Sequence, residues 1–414
     1  MKVFIDSVID PKKLFDTNDV DPIGSGGEAD IFKIPSSCLL NSSAEEPLVK
    51  IYDRTAINDD KLTARQNKGM SLVNKYSLFR EDLDENKSLN TSLFAFPQKN
   101  AMNYEDKTYA GFSMQDLGRW SMLEDFMFQD GKITNVSNDY VMSDDEAVEL
   151  FYNMTYCVFS LHKQGIVLGD LNNRNILYDT DRKLPLFVDI DSAQVDDFVC
   201  DASSEEFLDP LIMRKRLDGS EDKNEGAYEY STGSDIFALA VNIYQVMVGF
   251  HPAFFYGNNK PRDTTRKKMF LLKLRYDKKF LQQSGIELLN NDEHEKRLVE
   301  IQKKYPVLYQ HFVDVFVNDQ RNYFTETLPI SDYRNPDFGD FKNDDVNFNY
   351  EEVVLSQSTS KIKSKKIGGF NVNAWLEPLK LRLNYADSMH DTDAFKSFVK
   401  SLGYDYSAIL SGVF

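Results

Sequence analysis

The run Ile236-Phe-Ala-Leu-Ala-Val-Asn-Ile-Tyr-Gln-Val-Met-Val248 is apolar on nearly every side of a helix. A helix with no polar face has to be surrounded, either by lipid or by protein. This one is too short to cross a bilayer, and no stretch of the chain approaches the roughly 18 uncharged apolar residues that a span requires. It is therefore expected to be a central helix buried in a large core. The chain of 414 residues, 42% hydrophobic and 13% aromatic, can build such a core without disulfides or metal. Its length suggests two or three domains, or one bilobed domain with an appendage.

Charge and cysteine usage narrow the setting. With 48 Lys+Arg against 66 Asp+Glu the formal charge is 48 − 66 = −18, which argues against binding nucleic acid by neutralising phosphates. The dense basic run Lys361, Lys363, Lys365, Lys366 reads as a solvated linker. Cys38, Cys157 and Cys200 are widely spaced and odd in number, which fits a reducing compartment rather than a disulfide framework or a four-Cys zinc site. Asp6 and Asp10 interrupt the start where a signal peptide would be apolar. The expectation is a soluble, cytoplasmic protein with no membrane partner.

From Asp21 to Tyr52 the pattern reads strand, glycine turn, strand, a polar loop from Pro35 to Pro47, and the strand Leu48–Tyr52. A helix is predicted next, with Leu62, Gln66, Met70 and Val73 on one face. Phe94–Phe96 and Thr108–Met114 read as two further strands around a polar turn, Asn100–Lys107. Ser143-Asp-Asp-Glu146 is a capping box opening a helix whose buried face carries Val148, Phe151, Val158 and Leu161, with Gly165 as its stop. Strands are predicted at Asn175–Tyr178 and Leu186–Ile190, and more helices between Thr265 and Phe316. Residues 331–372 read as a polar linker and 373–414 as a small helical tail.

Four segments carry chemistry. Gly24-Ser25-Gly26-Gly27-Glu28-Ala29 lies between two strands, so its glycines form either a lid that lets backbone approach phosphates or an ordinary hairpin turn. Lys50, mid-strand, is either a phosphate partner under that lid or an exposed strand lysine. Most specific are Gly169-Asp170-Leu-Asn-Asn-Arg-Asn175 and Val188-Asp189-Ile-Asp191. Asp170 is a carboxylate suited to orienting an attacking hydroxyl, and Asn175 and Asp189 are hard oxygen donors suited to Mg²⁺.

In this order, these segments resemble the protein kinase fold of eukaryotic type, including its divergent bacterial and phage members, over roughly residues 20–325. The resemblance implies an α+β, bilobal architecture. A small antiparallel N-lobe with one helix (1–118) would precede a larger helical C-lobe (119–330). It further implies ATP and Mg²⁺ as cofactors and a protein Ser/Thr hydroxyl as acceptor. By the same resemblance Gly24, Ser25, Gly26 and Gly27 cover the phosphates, Lys50 steadies them, Gln115 to Leu117 form the adenine hinge, Asp170 is the catalytic base, and Asn175 and Asp189 bind metal. Ser234-Asp235 through Pro252 matches the central C-lobe helix, with Asp235 holding the catalytic loop, and Leu168 and Ile190 fall at internal spine positions.

The departures from that family are specific. Ala29 replaces the third glycine, Gly169 a basic residue and Asn172 the loop lysine. Asp191 stands where glycine is expected, as a turn cap or, less favoured, an extra metal ligand. Leu211 occupies the place of a Glu that pairs with an Arg. The helix acid that normally pairs with the strand lysine is missing, and Gln66 is the best occupant of its slot. Two other classes stay open: a nucleotide-binding pseudokinase scaffold, for Gln66, Asn172 and Leu211, and a small-molecule phosphotransferase of the aminoglycoside or choline kinase kind, for Gly169-Asp170 and the Asp189-Ile-Asp191 string. His162 and His251 read as structural, and Ser203 and Ser204 as loop residues.

Overall fold

The computed structural model describes residues 1–5, 14–35, 38, 48–81, 91–118, 120–200, 202–204, 206–212, 230–252 and 292–325. The chain divides into two compact units, Met1–Phe348 and Asn349–Phe414, and every described residue belongs to the first. The predicted linker, the helical tail and the helices proposed for 265–291 lie outside the described residues. What is described is a mixed α/β structure with a large antiparallel sheet and five α-helices.

The sheet contains β1 (Lys2–Ile5), β2 (Phe15–Asp16), β3 (Gly24–Ser25), β4 (Ala29–Lys33), β5 (Leu48–Tyr52), β6 (Lys99–Asn103) and β7 (Tyr109–Met114), in the order β2-β1-β6-β7-β5-β4-β3. Helix α1 (Asp59–Glu81) follows β5. Two expectations need correction here. Phe94–Phe96 is not a sheet strand: Phe94 makes an isolated bridge to Phe187 and stacks on its ring at 5.2 Å. The strand lies instead in the polar stretch taken for a turn, because β6 is an inner strand of the sheet whose backbone bonds to both β1 and β7 whatever its side chains.

The face of α1 is also not the predicted one. Met70 is 44% exposed, while Leu62, Arg65, Lys68, Leu72 and Tyr76 are buried. A hydrophobic count misses this face because two of its members are cationic, and both have partners where they are buried: Arg65 binds Glu28 and Lys68 binds backbone carbonyls.

Beyond β7, residues 115–118 lead into β8 (Ser121–Met122), then the meander β9 (Phe126–Gln129), β10 (Lys132–Asn135) and β11 (Val141–Met142). Helix α2 (Asp144–Lys163) starts at the predicted cap, with Ser143 accepting from the Glu146 backbone N–H. The Glu146 side chain does not close the box. It is buried and accepts from the hydroxyls of Tyr140 and Tyr178. Val148, Phe151, Val158 and Leu161 are all buried. Then come β12 (Ile166–Val167), β13 (Ile176–Asp179), β14 (Leu184–Phe187), β15 (Gln194–Val195), α3 (Thr232–Val248), α4 (Asp292–Lys304) and α5 (Pro306–Phe316). Helix α3 is buried almost throughout, as its composition requires. It begins four residues before the apolar run, at a capping box of Ser231 and Ser234.

Candidate functional site

Helix α3 carries the support for the loop at 168–175. Asp235, fully buried, accepts from the backbone N–H of Leu168 (2.7 Å) and of Gly169 (2.8 Å). His162 Nε2 lies 2.9 Å from the same carboxylate, and its Nδ1 lies 2.8 Å from the Tyr323 hydroxyl. Two helical turns further on, Asn242 Nδ2 donates to the Leu171 carbonyl at 3.1 Å. His162 is thus a structural residue, as expected.

Gly169 has φ 76°, and a Cβ there would stand 2.7 Å from Cys200 Sγ. Backbone conformation and space both demand glycine, so no basic side chain fits at this position. Asn172, where the resemblance expects lysine, is built into the turn. Its Oδ1 accepts from Arg174 N–H (2.9 Å), and its Nδ2 donates to Ser204 Oγ (3.2 Å).

Asn175 Nδ2 donates to the Asp170 backbone carbonyl at 2.8 Å. The Asp170 carboxylate itself is different, because Oδ1 is buried and, among the described residues, has no hydrogen-bond partner. An orphaned buried carboxylate oxygen is costly. Backbone pairing of Val188 N–H with Asn175 O (3.0 Å) brings Asp189 beside this loop. Asp189 adopts a left-handed conformation, φ 62°, and its side chain is 44% exposed at the cleft.

Lys50 reaches across from β5. Its Nζ lies 2.5 Å from Asp189 Oδ1 and 2.9 Å and 3.1 Å from the two oxygens of Asp191. Asp191 is buried in a 3-10 turn (Ile190–Ser192) and also accepts from Tyr52 OH at 2.9 Å. Two expectations are corrected by this. Asp191 is not a turn cap but the buried counterion of Lys50, and Gln66 is not among the partners of Lys50. Burial alone would lower the Lys50 ammonium, but Asp191 and then Asp189 outweigh it and raise it. Burial would likewise lift Asp191, yet Lys50, aided by Arg65 and the Tyr52 hydroxyl, holds it below the usual carboxylate range. Asp189 is pushed up by the protein packed around it and by Asp191, with Lys50 pulling the other way.

The glycine hairpin lies on the same side of the sheet. Gly24 is opposite Ile31 on β4, and Ile31 is opposite Lys50. Directly opposed residues share a face, so Gly24 and Lys50 look the same way across two strand spacings, about 10 Å. An added Cβ would find its nearest atom 3.9 Å away at Gly24, 3.6 Å away at Gly26 and nothing within 4 Å at Gly27. None of the three has a positive φ. The fold itself does not require glycine at 24, 26 or 27, and together they leave an open cradle. At its tip Glu28 is gripped by Lys61 and by Arg65 (3.1 Å), both on α1.

Gln115 is half-buried and Leu117 buried, in the segment joining β7 to β8. The segment ending at Leu211 holds an ion pair that the sequence reading did not foresee. Its acid is Asp209, paired in two-pronged fashion with Arg321 (2.7 and 2.9 Å) where both are buried. The sequence reading missed Asp209, Glu28 and Tyr52. Only Tyr52 was legible, since it lies two residues from Lys50 on one strand face.

Among the described residues no group of three or more His, Cys, Asp or Glu is arranged to hold a metal ion. Lys50 is nevertheless held by two carboxylates, Asp189 and Asp191, and Asp170 lies close enough to Asp189 to help push it up. No helix of the described residues is long and apolar enough to cross a membrane. No protein-family model matches the chain, and no curated protein matches it.

Proposed function

We propose that this chain has a two-lobed, protein-kinase-like fold and transfers the γ-phosphate of MgATP to a Ser or Thr hydroxyl of a protein. The observation that carries the reading is the convergence of Lys50, Asp170, Asn175 and Asp189, with the open glycine cradle on the face of the sheet that Lys50 shares and with Asp170 Oδ1 without a partner among the described residues. A carboxylate oxygen that the fold leaves unsatisfied is suited to take the proton of an incoming hydroxyl. As that hydroxyl oxygen bonds to the γ-phosphorus, the bond to the departing ADP breaks, and Asp170 holds the released proton. Gly24, Ser25, Gly26 and Gly27 pass backbone close to the phosphates, Lys50 supplies a fixed positive charge, and the adenine lies against Gln115 to Leu117.

The donor set also fits magnesium. Asn175 and Asp189 offer hard oxygens, and the local excess of negative charge suits a divalent cation. Mg²⁺ keeps only one or two protein ligands when phosphates complete its shell, so Asn175 and Asp189 would be enough to hold it. When bound, it neutralises charge on the phosphates.

A pseudokinase is the second reading. It is favoured by Lys50 being engaged by two carboxylates at once, so that Asp189 has to leave Lys50 before either can serve a nucleotide. Transfer of labelled γ-phosphate from MgATP to a generic protein acceptor decides between them. Asp170→Ala and Asp189→Asn are each expected to lower transfer by about 10²–10⁴-fold while remaining folded. Equal transfer by folded Asp170→Ala overturns the assignment. Nucleotide binding without transfer supports the scaffold, and transfer to a small hydroxyl compound alone supports the aminoglycoside or choline kinase class.

A further inference from the structure

Taking the cleft as a MgATP site, there remains the question of what places Lys50 when α1 has no carboxylate to offer it. The contacts form a chain. Lys50 is held by Asp191 (2.9 Å), and Asp191 sits in the 3-10 turn Ile190–Ser192. The Ser192 carbonyl at the end of that turn accepts from Lys68 Nζ on α1 (3.2 Å). The same ammonium binds the Val199 carbonyl (2.6 Å), pinning both ends of the segment that follows Asp191. Lys68 is buried, and a buried ammonium that grips two carbonyls fixes its neighbours closely. Lys50 and Lys68 do not touch, since the partners of Lys50 are Asp189 and Asp191.

We infer that Lys68 and Asp191 are positioning residues for Lys50, so that helix α1 sets the strand lysine through the 3-10 turn and not through an acid of its own. The polarity of the usual arrangement is inverted: the helix contributes the cation, and the turn contributes the anion that meets the lysine. Any displacement of α1 is passed through the Ser192 carbonyl to Asp191. That makes the helix position and the readiness of Lys50 one variable.

Two measurements on the full chain test this. The first needs no nucleotide: a double-mutant cycle on melting temperature with Lys50→Met and Lys68→Met. Residues without contact or a shared network add. Here the double variant is expected to lose less than about three-quarters of the summed single losses, and additive losses overturn the proposal. Should Lys68→Met fail to fold, Lys68→Gln, which removes the charge and shortens the arm, replaces it in the same cycle. The second is calorimetric titration with MgATP. Lys68→Met and Asp191→Asn are each expected to weaken binding by about tenfold, within the range for coupling through a packed network. Asn67→Ala, on the exposed side of the same turn, is expected to bind as wild type does. Unchanged affinity in Lys68→Met overturns the positioning role even if melting is non-additive. A wild-type chain that binds no MgATP overturns the phosphotransfer reading instead, and the melting cycle then decides the link between Lys68 and Lys50 by itself.

Discussion

Two carboxylates a short way apart in this molecule are treated in opposite ways. Asp235 is sealed in the helical core, and its oxygens accept from two backbone amides and face His162. Asp170, on the loop that Asp235 holds, keeps a buried oxygen with no partner among the described residues. The first is what a scaffold needs, since every group is matched and the loop has one geometry. The second retains unspent bonding capacity near Asp189, one of the two acids that hold Lys50. A chain selected for stability alone would fill that capacity. Leaving it unfilled beside a fully matched support marks where chemistry with an outside partner is expected.

The strongest way to break the comparison is to remove each acid. Asp235→Ala leaves the Leu168 and Gly169 amides and the His162 ring without their acceptor, and is expected to cost about 3–5 kcal/mol. Asp170→Ala removes no hydrogen bond made by its side chain and is expected to leave stability the same or slightly higher. Denaturant unfolding of the two variants side by side measures the contrast. Equal losses would mean that the orphaned oxygen of Asp170 is satisfied in solution and that the two sites do not differ.

How much of this was legible in the sequence follows from the same contrast. Some supports were readable because each pairs a residue type with a place: a serine before an acidic turn, a glycine between a helix and a strand. The N-cap at Ser143 follows from such local rules, whereas the role of Asp235 was legible only through the resemblance of Ser234 to Pro252 to a kinase C-lobe helix. Partners chosen across the fold were not readable. Asp191 was taken for a turn cap because the turn is local and Lys50 is 141 residues away. The face of α1 was misassigned because its buried positions include Arg65 and Lys68, which only the neighbouring carboxylate and carbonyls make tolerable. Asp209 escaped because its Arg321 lies 112 residues downstream. The polar composition of β6 hid an inner strand for a similar reason, since what makes it a strand is β1 and β7 on either side.

The helical core has its own exception, which sharpens the contrast. His311 packs against the rings of Phe151 and Phe324 (5.4 and 5.5 Å), and its Nε2 is buried without a partner. Burial, with Arg321 adding to it and Asp314 opposing it, lowers its pKa to about 4. The unfolded chain therefore takes up a proton near pH 6.5 that the folded chain refuses until about pH 4. Stability from this residue is complete above pH 6.5 and is lost as pH falls toward 4. The loss is expected to be about 2 kcal/mol between pH 7 and pH 5. His311→Gln, which cannot titrate, should flatten the unfolding free energy over that interval by that amount. An unchanged slope would show that the ring is hydrated and that the core is less closed than the Asp235 end.

The smallest expected change in stability is the one that bears most directly on the cleft. Gly27→Ala adds a methyl group where nothing lies within 4 Å, at a residue without positive φ. Folding stability should shift by no more than about 0.5 kcal/mol, the lost freedom of the unfolded chain offsetting any small strain. Gly169→Ala makes the opposite case, since its methyl would meet Cys200 Sγ at 2.7 Å from a left-handed backbone. It should destabilise the loop outright. If the cradle exists for phosphate oxygens, Gly27→Ala should nonetheless weaken MgATP by about 3–10-fold, because a Cβ stands where backbone has to approach the ligand. Calorimetry beside thermal melting separates the two effects. Unchanged affinity in a stable Gly27→Ala protein would make the glycines an ordinary hairpin turn and confine the ligand to the Lys50 side of the cleft.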